Sequence, residues 1–227
     1  MAERKARTDF PLVADAFVPA PREDLDTQIR SMIWPLGRVI HRIHLSIYCG
    51  TAFNPGVKGN ARFSPIRDRA GASIPTLYGG TTFDCAAMET VFHDVPFAPG
   101  LKTFDQTRLA GQAYSTVIPR RDLVLADLSS TALRSLGLRR GDLIDTEKDR
   151  YPGTRKWAEA IHQQCPTVDG LCWVSRQDDR ARALVLFGDR IPADDLLLAT
   201  ATRSILENVD LFTSLLILAD RIGVCVV

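Results

Sequence analysis

The β-rich runs of this chain follow one another without a regular helical interval between them. Ala113–Ile118 is separated from Leu123–Leu128 by Pro119 and three more residues, and Leu171–Val174 from Ala183–Phe187 by the polar stretch SRQDDRAR. A doubly wound parallel sheet needs a crossover of about a dozen residues between successive strands, most often a helix. That rhythm is missing, and the pattern predicts an α+β fold.

Two further strands are expected before the midpoint, Arg38–Ile47 and Ile74–Leu77. In the first, alternation puts Val39, His41, Ile43, Leu45 and Ile47 on an apolar face and Ile40, Arg42, His44 and Ser46 on a polar one. Asp195–Ala199 reads as another short strand. Helices are expected over Asp24–Ile33, ended by Pro35, and over Thr82–His93, Thr154–Gln164 and Leu206–Ile222, with a helical turn at Thr131–Leu136. Residues 1–22, with Pro11, Pro19 and Pro21 among alternating charges, read as an extended arm, and residues 23–227 as one domain.

Between the first two strands lies a long segment, Gly50–Gly71, rich in Gly, Pro and Asn and carrying Arg62, Arg67 and Arg69. A structureless stretch of that length inside a domain points to function or disorder. It is long enough to fold over a cleft.

The stretch PTLYGGTTFDCAAMETVFHD, residues 75–94, is a strand, a turn at Gly79-Gly80 and a helix capped by Thr82 with Asp84 in its first turn. At 100° per residue, Cys85, Ala87, Met88, Val91 and Phe92 form one apolar arc. Glu89 falls just past its edge, where packing holds the carboxylate and a cleft can still be reached.

Composition narrows the function classes. The formal net charge of +1, with basic residues scattered among acids, gives no electrostatic drive toward nucleic acid or acidic membranes. No apolar run approaches the eighteen or so residues of a membrane span; Leu211–Ala219 contains Thr213 and Ser214 and lies between Asp210 and Asp220. The opening MAERKARTDF lacks the apolar core of a signal peptide. The five cysteines are odd in number, irregularly spaced and without a CxxC pair, which fits a reducing cytoplasm and argues against a disulfide framework or structural zinc. His41 and His44 would face opposite sides of a strand, and His93 and His162 stand alone, so no metal site is expected. GxGxxG, P-loop and GxSxG motifs are absent.

Five pieces in order carry a family likeness. Arg42 lies in the early strand segment HRIH, Arg62 and Phe63 sit in GNARF, and Tyr78 ends the next strand. Glu89 precedes His93 on the helix, and Asp169-Gly170 precedes Ser175. Over about residues 38–190 the chain resembles the RES domain, whose usual loop reads GGRW where this chain has NARF. The resemblance implies an ADP-ribosyltransferase-like core of mixed sheets with flanking helices, and an enzyme that takes NAD as substrate and cleaves its nicotinamide–ribose bond. It implies Glu89, Arg42 and Ser175 as catalytic residues, and Arg42, Arg62, Tyr78 and Ser175 as binding residues. Breaking that bond moves positive charge onto the ribose, which suits an oriented carboxylate; the diphosphate suits arginine forks; Ser175 would donate to a phosphate or amide or help position the acceptor. Arg67, Arg69 and Arg176 add cations beside the site and suggest inorganic phosphate as acceptor, water or a protein side chain being the others. An Xre-type antitoxin is the implied partner. A mono-ADP-ribosyltransferase and an inactive RES-like binding module are the other readings.

Overall fold

One mixed sheet organises the computed structural model, which describes residues 17–96 and 98–227. The strands of the protein in chain order are β1 (Ser31–Trp34), β2 (Ile40–Leu45), the short β3 (Ile66–Arg67) and β4 (Ser73–Ile74), β5 (Thr76–Gly80), β6 (Lys102–Phe104) and β7 (Gln112–Pro119). Then come β8 (Leu123–Asp127), β9 (Gly170–Val174), β10 (Arg182–Phe187), β11 (Leu196–Leu198), β12 (Arg203–Ser204) and β13 (Val224–Val226). The helices are α1 (Leu25–Gln28), α2 (Phe83–Thr90), α3 (Ser130–Ser135), α4 (Arg140–Leu143), α5 (Tyr151–Gln164) and α6 (Val209–Arg221).

Among the described residues the main sheet runs β1-β8-β9-β10-β5-β2-β7-β11, with β12 also on β7. Its pairs are antiparallel except β8 with β9. The chain between those two carries α3, α4 and α5, the kind of crossover a parallel pair requires. The expected α+β class holds.

The centre of the sheet is buried on both faces, so β10 reads as a continuous apolar run. Ala183, Val185 and Phe187 pack with Trp157, Ile161 and Leu133 on the crossover side. Leu184 and Leu186 face Trp34, Leu77 and Val117. A third cluster joins Ala87 and Phe92 of the α2 region to Leu211, Leu215 and Leu218 of α6.

Several sequence expectations need correction. The helix expected over Asp24–Ile33 stops at Gln28, and Ser31–Trp34 is a strand paired antiparallel with Leu123–Ala126. Burial of Trp34, whose indole N–H donates to the Arg38 carbonyl at 3.1 Å, outweighs local helix propensity there. Gly79 and Gly80 do not turn the chain; they lie in β5, opposite Leu184 and Ala183. A Cβ on Gly79 would sit 2.4 Å from Ile40 Cγ2, and one on Gly80 2.6 Å from Cys85 Sγ. These glycines serve close packing, and the bend falls at Thr81-Thr82.

Both faces of β2 are covered at its centre. Ile40, Arg42 and His44 are buried on the face read as polar and Ile43 on the apolar one, whereas Val39, Leu45 and Ile47, at or beyond the strand ends, are exposed. The turn after β2 folds back over the Arg42 side, and its glycine and alanine carbonyls bind the guanidinium. The Gly50–Gly71 segment is less irregular than expected: Phe63 and Ile66 are fully buried, and β3 pairs with β4. The β6–β13 parallel pair has no counterpart in the sequence reading.

Residues 1–16 of the expected arm lie outside the described residues. Its last part rests on α5, where the Trp157 indole donates to the Pro19 carbonyl at 2.6 Å.

Candidate active site

β2, β5, β9 and α2 meet at a cavity of about 290 Å³, whose wall includes Arg42, Arg62, Tyr78, Glu89, His93 and Trp173. Helix α2 starts directly after β5, its first turn held by the Cys85 N–H donating to Thr82 Oγ1 at 3.0 Å. Cys85, Ala86, Ala87 and Met88 are buried, which fixes the rotation of the helix and leaves Glu89 half-buried at the cavity rim.

Ser175 stands behind Glu89. Its Oγ accepts the N–H of Gln177 at 3.0 Å and of Asp178 at 3.1 Å. Its hydroxyl proton goes to Glu89 Oε1, at 2.7 Å. Ser175 is fully buried and absent from the cavity wall, so the direct contact with a phosphate or amide expected of it is not available in this geometry. Arg140, tied to Asp145, donates to the Ser175 carbonyl at 2.9 Å and anchors the turn from the other side.

Arg42 is buried, and its Nη1 donates to the carbonyls of Gly50 and Ala52, both at 2.7 Å. Burial lowers its pKa to about 10, so the group keeps its charge near neutral pH. The turn that supplies these carbonyls has to be glycine at 50, because a Cβ there would meet Ser115 Oγ at 2.4 Å.

Arg62 is buried as well. Its Nη2 reaches the Thr146 carbonyl at 3.4 Å and its Cζ lies 5.4 Å from the Tyr151 ring centre, while Nε has no partner among the described residues. The NARF loop around it is held from several sides. Thr154 donates its hydroxyl to the Arg62 carbonyl, Arg155 donates to Asn60 Oδ1 at 2.8 Å, and the Phe63 N–H donates to the Tyr78 hydroxyl at 3.1 Å. Asn60 at the position of a family glycine thus ties the loop to α5. Burial pushes the Tyr78 phenol up to about pKa 12, so it stays neutral at any ordinary pH.

His93, named in the sequence pattern but given no role there, borders both the cavity and a second hollow lined by Lys148, Glu147 and Arg176. Its Nε2 meets the Tyr151 hydroxyl at 3.0 Å and its Nδ1 meets Asp94 Oδ1 at 2.7 Å. Lys148 first, and His93 second, hold the Asp94 carboxyl below its ordinary range.

Trp173 was missed by sequence reasoning. Its place in β9, paired with Ala183 of β10, brings it to the cavity, and no local motif announces that pairing. Conversely, Arg67 and Arg69 do not join the site. Arg67 donates to the Gly71 carbonyl and Arg69 to the Gln163 carbonyl on α5, and neither lines the cavity. Asp169 is also remote in role: it forms a two-pronged pair with Arg121 at 2.7 and 2.8 Å and accepts the Val124 N–H.

A family model described as the RES domain matches residues 39–205. The chain belongs to the RES-domain family. The match spans Arg42, Arg62, Tyr78, Glu89 and Ser175 of this RES-domain chain. Among solved structures, its fold is similar to a chain of the "M.tuberculosis MbcT-MbcA toxin-antitoxin complex", at 14% identity and a TM-score of 0.57, covering 79% of this chain and 88% of that one. No curated protein sequence matches it. Among the described residues of the RES-domain protein no cluster of three His, Cys, Asp or Glu could hold a metal ion. No described helix is long and apolar enough to cross a membrane.

Proposed function

We propose that this RES-domain protein binds NAD with the nicotinamide and its ribose in the cavity, and cleaves the bond between them as a toxin-type enzyme. One observation carries the reading: Arg42, Arg62, Tyr78 and Glu89, far apart in the sequence, border a single cavity, and the carboxylate among them is pinned by a buried serine.

The chemistry follows from charge. The bond between C1″ of the ribose and the pyridine nitrogen breaks with its electron pair on nitrogen, and nicotinamide leaves neutral. Positive charge develops on the ribose, where Glu89 stabilises it. Ser175 occupies Oε1 and so orients the carboxylate, which makes it a positioning residue. Arg42 and Arg62 meet the diphosphate, with fixed guanidinium planes suited to paired oxygens. Tyr78 offers a flat, uncharged face to the ring.

The acceptor oxygen then bonds to C1″ and gives up its proton. Of the cations expected to favour phosphate, Arg176 borders the hollow beyond His93. The product names the acceptor: ADP-ribose for water, ADP-ribose-1″-phosphate for phosphate, labelled protein for a transferase. An activity that drains NAD calls for restraint, and we take an antitoxin, of the Xre type, as the partner.

The test is nicotinamide release from NAD by the purified chain, with and without phosphate, followed by mass spectrometry of the other product. Release by the wild type, reduced on the order of 10²- to 10³-fold in Glu89→Gln, is expected. Undiminished release by that variant would remove Glu89 from the chemistry, and binding without release would make the protein a binding module.

A further inference from the structure

The cavity that Glu89 borders encloses about 290 Å³, at the small end of ligand pockets, which run from about 300 to 1,000 Å³. Nicotinamide and its ribose suit such a space; a whole dinucleotide does not. A second hollow, of about 590 Å³, adjoins it. The two meet at His93, which borders both. They also approach each other at the Thr146 carbonyl. That oxygen accepts Arg62 Nη2, from the cavity wall, at 3.4 Å and Arg176 Nη1, from the hollow wall, at 2.8 Å. A ligand too long for the cavity has this hollow to continue into.

The chemistry of the hollow narrows what continues there. It carries three carboxylates, Asp94, Glu147 and Asp149, against two cations, Lys148 and Arg176. Both cations are already engaged: Lys148 pairs with Asp94 at 2.7 Å, and Arg176 pairs with Glu147. A free anion gains little where carboxylates outnumber cations, which argues against phosphate in this place. Glu147 and Asp149 are exposed and offer acceptor oxygens, and Val95 and Pro96 add apolar surface. The complement of such a wall is an uncharged group with a flat ring and hydroxyl donors.

We infer that the hollow beyond His93 is a nucleoside subsite that takes the adenosine half of the dinucleotide, its ribose hydroxyls donating to Glu147 and Asp149. This rests on the NAD reading, with the diphosphate passing Arg62 between the two compartments. A carboxylate that accepts from a ribose diol also repels a 2′-phosphate, so the subsite selects NAD over NADP.

The experiment has two arms. In the first, backbone ¹⁵N–¹H resonances of the full chain are recorded as ADP-ribose is added and, separately, nicotinamide mononucleotide. ADP-ribose shifts the amides of Glu147, Lys148 and Asp149. The mononucleotide, which lacks adenosine, shifts those around Tyr78 and Glu89 and leaves 147–149 in place. In Asp149→Trp, which fills the hollow from an exposed position, ADP-ribose affinity falls about tenfold or more and that of the mononucleotide holds. In the second arm, kcat/KM for NADP is divided by that for NAD. Glu147→Lys, at a side chain 72% exposed, raises this ratio about tenfold or more. If that variant does not fold, the titrations decide alone. ADP-ribose that fails to bind, or binds without moving 147–149, overturns the inference, as does an unchanged ratio in a Glu147→Lys protein that cleaves NAD. Inorganic phosphate that moves 147–149 where ADP-ribose does not assigns the hollow to the acceptor and overturns it too. A wild type that releases no nicotinamide sinks the NAD reading, and the ADP-ribose titration still decides for or against the subsite.

Discussion

Replacing Ser175 by alanine separates positioning from contact. The substitution removes one hydroxyl that makes three hydrogen bonds: it donates to Glu89 Oε1 at 2.7 Å and accepts the N–H groups of Gln177 and Asp178. Two backbone donors in a partly buried turn lose their acceptor, and a charge-assisted bond to Glu89 is lost. Orphaned donors of this kind cost on the order of 1–3 kcal/mol, so the variant should unfold at a lower temperature and still fold. Its effect on rate should pass through Glu89. Because Ser175 does not border the cavity, KM for NAD should hold within about twofold while kcat drops by roughly 10- to 100-fold, the scale of one misplaced electrostatic group. A cycle with Glu89→Gln supplies the sharper readout. If the serine acts only by aiming the carboxylate, the double variant is no slower than Glu89→Gln alone, since coupled residues are not additive. Steady-state nicotinamide release for the four proteins measures this. Full additivity, or a raised KM at unchanged kcat, would refute the positioning role and return Ser175 to direct contact.

Arg42→Lys and Arg62→Lys should each weaken NAD binding, measured by calorimetry, because a point charge replaces a two-pronged donor; with both side chains buried, the affinity should depend only weakly on salt. Tyr78 gives a pH signature of stability. Its folded pKa is raised by burial to about 12, above the ordinary phenol value near 10, so its contribution is complete below about pH 10 and lost as pH climbs toward 12; Tyr78→Phe should flatten that alkaline loss in a series of melts. Gly50→Ala puts a methyl group 2.4 Å from Ser115 Oγ and 2.7 Å from Leu198 Cδ2, which should cost about 1–3 kcal/mol in denaturant titrations and loosen the carbonyl cradle of Arg42.

The parts of this architecture legible in the sequence are those governed by local rules. Helix α2 was readable from a Thr cap and a 3.6-residue apolar period, and the same wheel put Glu89 at a rim, where it lies. The face of β2 was not, because alternation reports a buried side only when one face of a sheet is wet. Here the turn at Gly50–Ala52 covers the face that carries Arg42. Gly79-Gly80 read as a turn by composition, yet the glycines are demanded by the close approach of Ile40 and Cys85, which composition does not report. The depth of Ser175 escaped for a like reason: its partner Glu89 is eighty-six positions away. Arg67 and Arg69 share a loop with Arg62, but Arg67 turns to the Gly71 carbonyl and Arg69 to α5, since neighbours along such a segment need not share a direction.

The order of strands in the sheet bears on when this site comes into being during synthesis. Arg42, Arg62, Tyr78 and Glu89 leave the ribosome early, but β5 pairs with β10, and β9 reaches the sheet through β8 and β10. Until residues past Phe187 have emerged, β5 has only β2 beside it, the Trp173 wall is missing, and the serine that aims Glu89 has no hairpin to sit in. Long-range pairings of this kind close late, after the entropy of a long loop has been overcome. A nascent or prematurely terminated chain thus carries the charged residues without the cavity. The cavity therefore exists only once the chain through Phe187 has joined the sheet.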